Sequence, residues 1–239
     1  MRDGQNEPSS IAEVRALLYS ALAVGFSAPD EGTLEEVSEN ISALFQEAKS
    51  LFAWRALEDW INSLRASIKE SDRTSLKAEY HRLFGGPYKL LAPPYASLYL
   101  ESEPSIMGPS TLEVLTTYEE AGFLLSPSYK DLPDHIAAEL EFMALLCEEE
   151  GRAWRKGDLF QGGKLLVREE TFLADHLARW IPHFTSRILA STRYLFYRAL
   201  ASLLNDYVLL DLDSVRALHR CLEAEGLVTL MKEGAGDGS

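Results

Sequence analysis

Apolar residues that recur every three to four positions cover nearly the whole of this sequence, and no stretch shows the alternation of a β-strand. This spacing places apolar side chains along one face of an α-helix, so it predicts helices that pack against one another through those faces. The chain has 239 residues, of which 46% are hydrophobic, and such a chain can bury a real core. We therefore predict an all-α fold, built as one globular helical bundle or as two helical lobes.

The same pattern divides the chain along its length. Residues 1–8 are predicted to be disordered, and the glycine-rich residues 229–239 are predicted to form a frayed tail. The helical domain is expected over residues 9–228, with any lobes covering about 9–122 and 132–228. Helices are expected over about residues 9–25, 34–45, 54–68, 71–84, 110–121, 133–154, 169–190, 193–211 and 213–225, with Pro133 as a first helical residue and Pro182 at a kink.

Residues 85–110 interrupt the helical pattern. They contain five of the ten prolines together with three glycines, so no helix can run through them. They also carry apolar and aromatic side chains, among them Tyr88, Tyr95 and Tyr99, which a solvated linker would lack. We predict a long ordered loop packed on the helices, and loops of this kind often carry function.

Acidic residues are concentrated in one part of the chain. The whole sequence has 23 Lys and Arg against 37 Asp and Glu, a net charge of −14. Residues 90–151 contain twelve acidic residues and one base, Lys130, so this segment alone carries −11. Binding to nucleic acid needs an excess of cations, so this balance argues against it and favours a basic partner. Solubility alone would explain the excess equally well.

Neither the cysteines nor the N-terminal residues indicate export. Cys147 and Cys221 lie within apolar helical patterns, so neither a disulfide framework nor a thiolate metal site is indicated. The first residues lack the basic and apolar regions of a signal peptide, and no apolar run approaches the roughly 18 to 20 residues that span a bilayer. We expect a cytoplasmic protein without stable membrane insertion.

Common enzyme signatures are absent from the sequence. It contains no HExxH, GxSxG or CxxC motif and no helical ExxH pair of the kind found in di-iron bundles. Residues 157–165 approach a phosphate-binding loop, but the glycine spacing is wrong and Leu165 stands where a Mg²⁺-binding Ser or Thr is required. Asp175 and His176 are interpreted as a pair on a helix surface. We predict a protein that is not an enzyme and holds no metal or cofactor.

Asp134 and His135, at the expected start of a helix, admit three interpretations. As structural residues, Asp134 would complement the helix dipole and His135 would pair with Glu139. As an alternative function, these three side chains would serve a small metal-assisted or nucleotide hydrolase, although the ligands are few and no activated nucleophile is present. In the third interpretation, these residues form a peptide-binding site together with Glu141 and Phe142. Carboxylates beside aromatic rings bind guanidinium groups through charge-assisted hydrogen bonds.

Three blocks in the middle of the chain carry a family resemblance. They are EYHRLFGGP at residues 79–87, APPYASLYL at 92–100 and LPDHIAAELEFM at 132–143, and the flanking pattern is compatible over about residues 10–225. In order and spacing they resemble the TorD/DmsD/NarJ family of cytoplasmic, all-helical chaperones that mature molybdoenzymes. Tyr-x-x-Leu-Phe alone is a weak signal, and the ordered set is the stronger one.

The resemblance implies a chaperone that binds the twin-arginine signal peptide and the apo form of a molybdenum-cofactor oxidoreductase. Such a chaperone supports cofactor insertion and prevents premature export, as a monomer or a homodimer. Many members have a Glu-Pro-x-Asp-His run, whereas here the proline directly precedes Asp134, so the local geometry and the client are not carried over. The candidate signal-peptide-binding residues are Tyr80, Phe84, Pro94, Tyr95, Asp134, His135, Glu139, Glu141 and Phe142.

Overall fold

Helices account for most of the structure, a computed structural model that describes residues 7–30, 32–47, 54–85, 90–103 and 107–224. Within those residues there is no strand, and one isolated bridge joins Tyr95 to His135. The prediction of an all-α fold is confirmed. The α-helices are α1 (Glu7–Phe26), α2 (Thr33–Glu47), α3 (Trp54–Glu70), α4 (Arg73–Phe84), α5 (Ser97–Leu100), α6 (Pro109–Glu120), α7 (Ile136–Lys156), α8 (Leu159–Phe172), α9 (Ala178–Ser191) and α10 (Leu195–Ala224).

One hydrophobic cluster joins helices from the two ends of the chain. α1 packs mainly on α7 and α2, while α10 packs on α3, α9 and α8. Fully buried side chains from all along the sequence belong to this cluster, for example Leu22, Ile61, Leu140 and Leu203. Both predicted lobes therefore contribute to the same core, and their division remains a prediction.

α1 differs from its prediction in where it begins. It begins at Glu7, so residues 7 and 8 are helical rather than disordered, while residues 1–6 and 225–239 lie outside the described residues. Among the described helices, Pro8–Phe26 is long and apolar enough to cross a membrane by length and composition, although Glu13 and Arg15 interrupt its apolar residues. Its most apolar window is 61% buried inside the fold, which fits a core helix.

Two helix boundaries differ from the predicted ones because a polar side chain makes a specific bond. α7 begins at Ile136 rather than at Pro133, since His135 acts as the N-cap and its Nδ1 accepts from the Ala137 N–H at 3.1 Å. α10 runs unbroken through the expected break after residue 211, since Asp211 is buried and bonds to Arg15 and Tyr19.

The region between α7 and α9 also differs from the prediction. α8 starts ten residues earlier than the helix expected from residue 169, with Asp158 as an N-cap that accepts from the Gln161 N–H at 2.9 Å. Pro182 lies within α9, and the helical irregularity comes before it, as a π-helical segment over Leu173–Leu177. The segment is described below because it places a histidine in the core.

The proline-rich loop is ordered and packed on the helices where the structure describes it. The Ala92 N–H donates to the Leu83 carbonyl at 3.0 Å, which ties the loop to α4. Pro93, Pro94 and Ala96 are buried, and the short helix α5 follows. The predicted ordered loop is confirmed for residues 90–103, while residues 86–89 and 104–106 lie outside the described part.

Candidate functional site

The proline-rich loop meets the start of α7 in a structure that we call the junction, residues 93–97 and 131–136. The Ala96 N–H donates to the Asp134 carbonyl at 3.0 Å, and the Ile136 N–H donates to the Pro94 carbonyl at 2.9 Å. The rings of Tyr95 and His135 lie edge to face with their centroids 5.4 Å apart. Two of the three sequence blocks therefore form one unit.

Asp134 holds this unit together from the inside. Its side chain is completely buried, and its Oδ2 accepts from the Ser97 N–H at 3.0 Å. Its Oδ1 is buried without a hydrogen-bond partner among the described residues. Asp134 precedes α7 rather than occupying its first turn, so the predicted role in the helix dipole is wrong, and the carboxylate positions the loop instead.

His135 is held as a neutral imidazole. Its Nδ1 accepts from the backbone of α7, which places the proton of the neutral ring on Nε2, 3.9 Å from Asp131 Oδ2. Burial lowers the pKa of His135, and the nearby charges of Asp131 and Asp134 oppose that shift only in part. The ring therefore serves as a helix cap whose function depends on its remaining uncharged.

Asp131 and Tyr95 form the accessible part of the junction. The Tyr95 hydroxyl donates to Asp131 Oδ1 at 2.9 Å, and the Asp131 side chain is 42% exposed. Burial raises the pKa of Tyr80 to about 12, with a smaller contribution from Asp131, so α4 also approaches this carboxylate. The sequence analysis did not select Asp131, although its place as the residue before the third block was a usable signal.

Glu139 belongs to a separate buried network. Its Oε1 lies 2.7 Å from Nε2 of His176, and its Oε2 accepts from the indole N–H of Trp180 at 3.0 Å. Burial raises the pKa of Glu139, and His176 opposes that shift. Asp175 is exposed but His176 is buried, so the interpretation of these two residues as a surface pair was wrong. The π-helical segment is what carries His176 into the core.

The geometry gives no support to the hydrolase alternative. Asp134 bonds to the backbone of α5, His135 to that of α7, and Glu139 to two side chains elsewhere, so the three groups do not converge on a common ligand. Residues 157–165 form the capped start of α8 rather than a phosphate-binding loop. Gly162 there lies against Trp154, and a Cβ at this position would come within 2.7 Å of the indole ring.

Glu141 and Phe142 lie on α7 at an apolar groove of about 190 Å³. Glu141 is exposed at the rim, whereas Phe142 is buried at 4.6 Å from Tyr118 and 5.7 Å from Phe123, between ring centroids. The groove is lined by Tyr118, Phe123, Leu124, Leu125, Ser126, Tyr129, Ala138, Glu141, Phe142 and Leu145.

The nine candidate residues thus fall into three groups. Tyr80, Pro94, Tyr95, Asp134 and His135 meet at or beside the junction, Phe84 and Glu139 lie behind it in the core, and Glu141 and Phe142 line the groove. Seven of the nine are buried, Tyr95 is half-buried and Glu141 is exposed. A role for all nine residues in peptide binding remains a prediction. In this conformation only Tyr95 and Glu141 are accessible from solvent.

A second buried polar cluster surrounds Arg15 of α1. The Arg15 guanidinium lies 2.8 Å from Glu150, 2.6 Å from Glu169 and 2.7 Å from Asp211, on α7, α8 and α10. Burial raises the pKa values of Glu150 and Glu169, and Arg15 opposes both shifts. Cys147 lies close to these two glutamates, and the three side chains form a group that could hold a metal ion. Because Arg15 already binds the same carboxylates, we assign the cluster a structural role.

Comparisons with known proteins identify the family to which the chain belongs. The family described as nitrate reductase delta subunit matches residues 47–186. A protein named chaperone protein TorD from Salmonella agona is 32% identical over 212 residues, which cover 86% of this chain and 93% of the relative. The TorD protein of Salmonella paratyphi B is 31% identical with the same coverage.

A solved structure supports the fold. A redox enzyme maturation protein from Archaeoglobus fulgidus superposes with a TM-score of 0.55 over 81% of this chain and 93% of that chain, at 21% identity. The superposition shows that the two proteins share a fold, and the TorD relatives place this chain among chaperones. The chain belongs to the nitrate reductase delta subunit family, which is the TorD/DmsD/NarJ family that the three sequence blocks indicated.

Proposed function

We propose that this chaperone works in the cytoplasm and binds the twin-arginine signal peptide of a molybdoenzyme precursor. In this proposal it keeps the apoenzyme from export until the molybdenum cofactor has been inserted. It acts by binding alone, as a monomer or a homodimer, and catalyses no reaction. The names of its relatives support the chaperone role, and the chemistry of the junction supports the kind of peptide.

The observation that carries the proposal is an exposed carboxylate beside an aromatic ring on a rigid support. Asp131 stands next to Tyr95 within the acidic segment of residues 90–151, and the buried bonds of Asp134 and His135 fix both sides of the junction. A twin-arginine peptide presents two guanidinium groups next to an apolar segment. One guanidinium can bind the Asp131 carboxylate while its plane lies against the Tyr95 ring.

The proposal is tested by titration calorimetry with a synthetic peptide that contains Arg-Arg and an apolar segment. We expect the wild-type chain to bind this peptide, more weakly as salt rises, and to bind an Ala-Ala version much less. Asp131→Asn should weaken binding of the Arg-Arg peptide by roughly tenfold to a hundredfold, because a hydrogen bond to a charged group is lost.

Asp59→Asn on α3 is the matched control, since Asp59 is an exposed aspartate outside the junction. It should leave the affinity within about twofold, as a distant charge is screened by solvent and salt. Equal binding of the Arg-Arg and Ala-Ala peptides by the wild-type chain would contradict the proposal.

A further inference from the structure

Helix α9 carries a row of basic side chains in a chain that is otherwise acidic. Residues 176–205 contain four arginines and no aspartate or glutamate, whereas the whole chain has a net charge of −14. Arg179, His183 and Arg187 lie within α9 at intervals of four residues, and all three are exposed. Side chains four residues apart lie on nearly the same face of a helix, so these three form one line, which we call the basic row.

The arginines of the basic row are not neutralised within the part of the chain that the structure describes. The Arg179 guanidinium donates to the backbone carbonyl of Asp175 at 3.1 Å, and neither Arg179 nor Arg187 forms an ion pair with a described carboxylate. By contrast, Arg82 and Arg152 pair with glutamates of their own helices. In a protein with a surplus of carboxylates, such a row indicates that the opposite charge comes from a partner.

Arg187 is held in place by an aromatic ring of the short helix α5. Its guanidinium carbon lies over the Tyr99 ring, 5.0 Å from the ring centroid. Tyr99 is fixed in turn, because its hydroxyl donates to the Pro93 carbonyl at 2.8 Å and its ring lies 5.5 Å from that of Trp180, between centroids. A guanidinium held in this way is preorganised, so it loses less side-chain freedom when it binds a carboxylate.

The spacing of the basic row matches an extended acidic chain. Four residues of α-helix rise about 6 Å, so Arg179 and Arg187 are separated by about 12 Å along the helix axis, with His183 midway. In an extended chain, the side chains on one face recur at every second residue, about 6.6 Å apart. Carboxylates at alternate positions therefore match the row one for one, whereas consecutive carboxylates point to opposite faces.

Other anionic partners fit the basic row less well. The net charge of −14 would repel nucleic acid. Binding to a lipid surface favours large apolar side chains that insert among the lipids, and the other exposed residues of α9 are Ser186 and Ala190. A single line of three basic side chains is complementary to a single line of carboxylates, which an acidic polypeptide provides.

We propose that the basic row binds an extended acidic segment of a partner protein, with carboxylates at alternate positions. Arg179 and Arg187 each bind one carboxylate through charge-assisted hydrogen bonds, and His183 donates a hydrogen bond to the carboxylate between them. This site lies outside the junction and takes a ligand of the opposite charge to the signal peptide. It goes beyond the proposed function, and either can fail without the other.

Fluorescence anisotropy with three labelled peptides tests the spacing. The first peptide contains Glu-Ser-Glu-Ser-Glu, the second has the same composition with its glutamates consecutive, and the third has glutamine in place of each glutamate. We expect the alternating peptide to bind about threefold to fivefold more tightly than the consecutive one, because the latter loses one of three ion pairs. The glutamine peptide should not bind, and binding of the alternating peptide should weaken as salt rises.

Variants of the protein test the residues. The double variant Arg179→Gln and Arg187→Gln should weaken binding of the alternating peptide by roughly tenfold, and lysine at both positions should restore most of the affinity. The matched control is Arg65→Gln with Arg220→Gln, two exposed arginines on α3 and α10, which gives the same net charge. It should change the affinity by less than about twofold, and circular dichroism confirms that all variants are folded.

Equal binding of the alternating and consecutive peptides, or unchanged binding by the Arg179 and Arg187 double variant, would overturn the proposed site. Tighter binding of phosphatidylglycerol vesicles through the basic row, or self-association of the chain through it at low salt, would assign the row to a membrane or to a second copy instead. The Arg-Arg peptide should bind the double variant with unchanged affinity. Failure of the wild-type chain to bind that peptide would count against the proposed function alone.

Discussion

Asp131 and Asp134 are three residues apart, yet only one of them can meet a ligand. Asp134 has no exposed surface and bonds to the backbone of the loop, whereas Asp131 presents a carboxylate to solvent beside Tyr95. Sequence reasoning selected Asp134 because it belongs to the Asp-His pair of the family pattern. Residue type and spacing could not show which carboxylate faces inward, since that depends on the bridge between residues 95 and 135.

Substitution of Asp134 should affect stability according to whether an acceptor remains. Asp134→Ala leaves the Ser97 N–H buried without a partner, so we expect a loss of about 1 to 3 kcal/mol in the free energy of unfolding. Asp134→Asn keeps an acceptor and should cost less than about 1 kcal/mol, with affinity for the Arg-Arg peptide unchanged. Urea unfolding and calorimetry measure both quantities. Loss of affinity in a fully stable Asp134→Asn variant would show that this carboxylate reaches the peptide.

His135 should give the protein a component of stability that depends on pH. Because burial lowers the pKa of His135 in the folded chain, the unfolded chain takes up its proton first. This component is present above about pH 6.5 and is lost as the pH falls toward the lowered value. His135→Asn keeps a side chain suited to the N-cap but does not titrate, so the variant should lose less stability than the wild type between pH 7.5 and 5.5.

Chemical denaturation of both proteins at several pH values measures the difference. Glu139, whose pKa is raised by burial, acts in the opposite direction, but it is present in both proteins and cancels in the comparison. Parallel stability curves for the wild type and His135→Asn would contradict the neutral-cap assignment.

Among the elements, those with a regular apolar period were predictable and those defined by one polar bond were not. The central helices and the ordered loop were placed correctly because burial of an apolar stripe dictates them. The start of α7, the unbroken α10 and the π-helical segment were missed. Each depends on a buried polar group, His135, Asp211 or His176, whose partner is far away in the sequence or comes from the backbone. Such partners are visible only in the folded chain.

Gly122 is the residue on which the end of α6 and the groove wall depend. Alanine at a φ of +85° is disfavoured by roughly 1 to 2 kcal/mol, so Gly122→Ala should destabilise the protein by that amount although its Cβ would meet no atom within 4 Å. Gly122→Asn should cost less, since asparagine tolerates the left-handed conformation. Thermal melts of the two variants provide the measurement. Equal stability of Gly122→Ala and the wild type would mean that the α6 ending can rearrange.

At the scale of the whole molecule, Arg15 connects four helices. Arg15→Met would leave three buried carboxylates without their cation, so we expect a loss of about 3 to 5 kcal/mol. The loss should be larger at pH 8 than at pH 5. Burial raises the pKa values of Glu150 and Glu169 and Arg15 opposes that rise, so both pKa values are higher still in the variant. The stability of the variant therefore falls more steeply than that of the wild type as the pH rises above about 4.5.

Arg152→Met is the matched control for this variant. Arg152 pairs with Glu148 and Glu149 on the surface of α7, so its loss should cost less than about 1 kcal/mol at either pH. Similar destabilisation by the two substitutions would show that the buried network contributes no more than a surface pair.

The ion pairs of Arg15 also determine when the protein can finish folding during its synthesis. The partner of Arg15 on α10 is Asp211, 196 residues later, so α1 leaves the ribosome long before the helix that completes its surroundings. At about 5 to 20 residues per second, the interval is roughly 10 to 40 seconds. Throughout that interval the Arg15 guanidinium lacks Asp211, so the buried cluster that joins α1 to α10 is completed only late in synthesis.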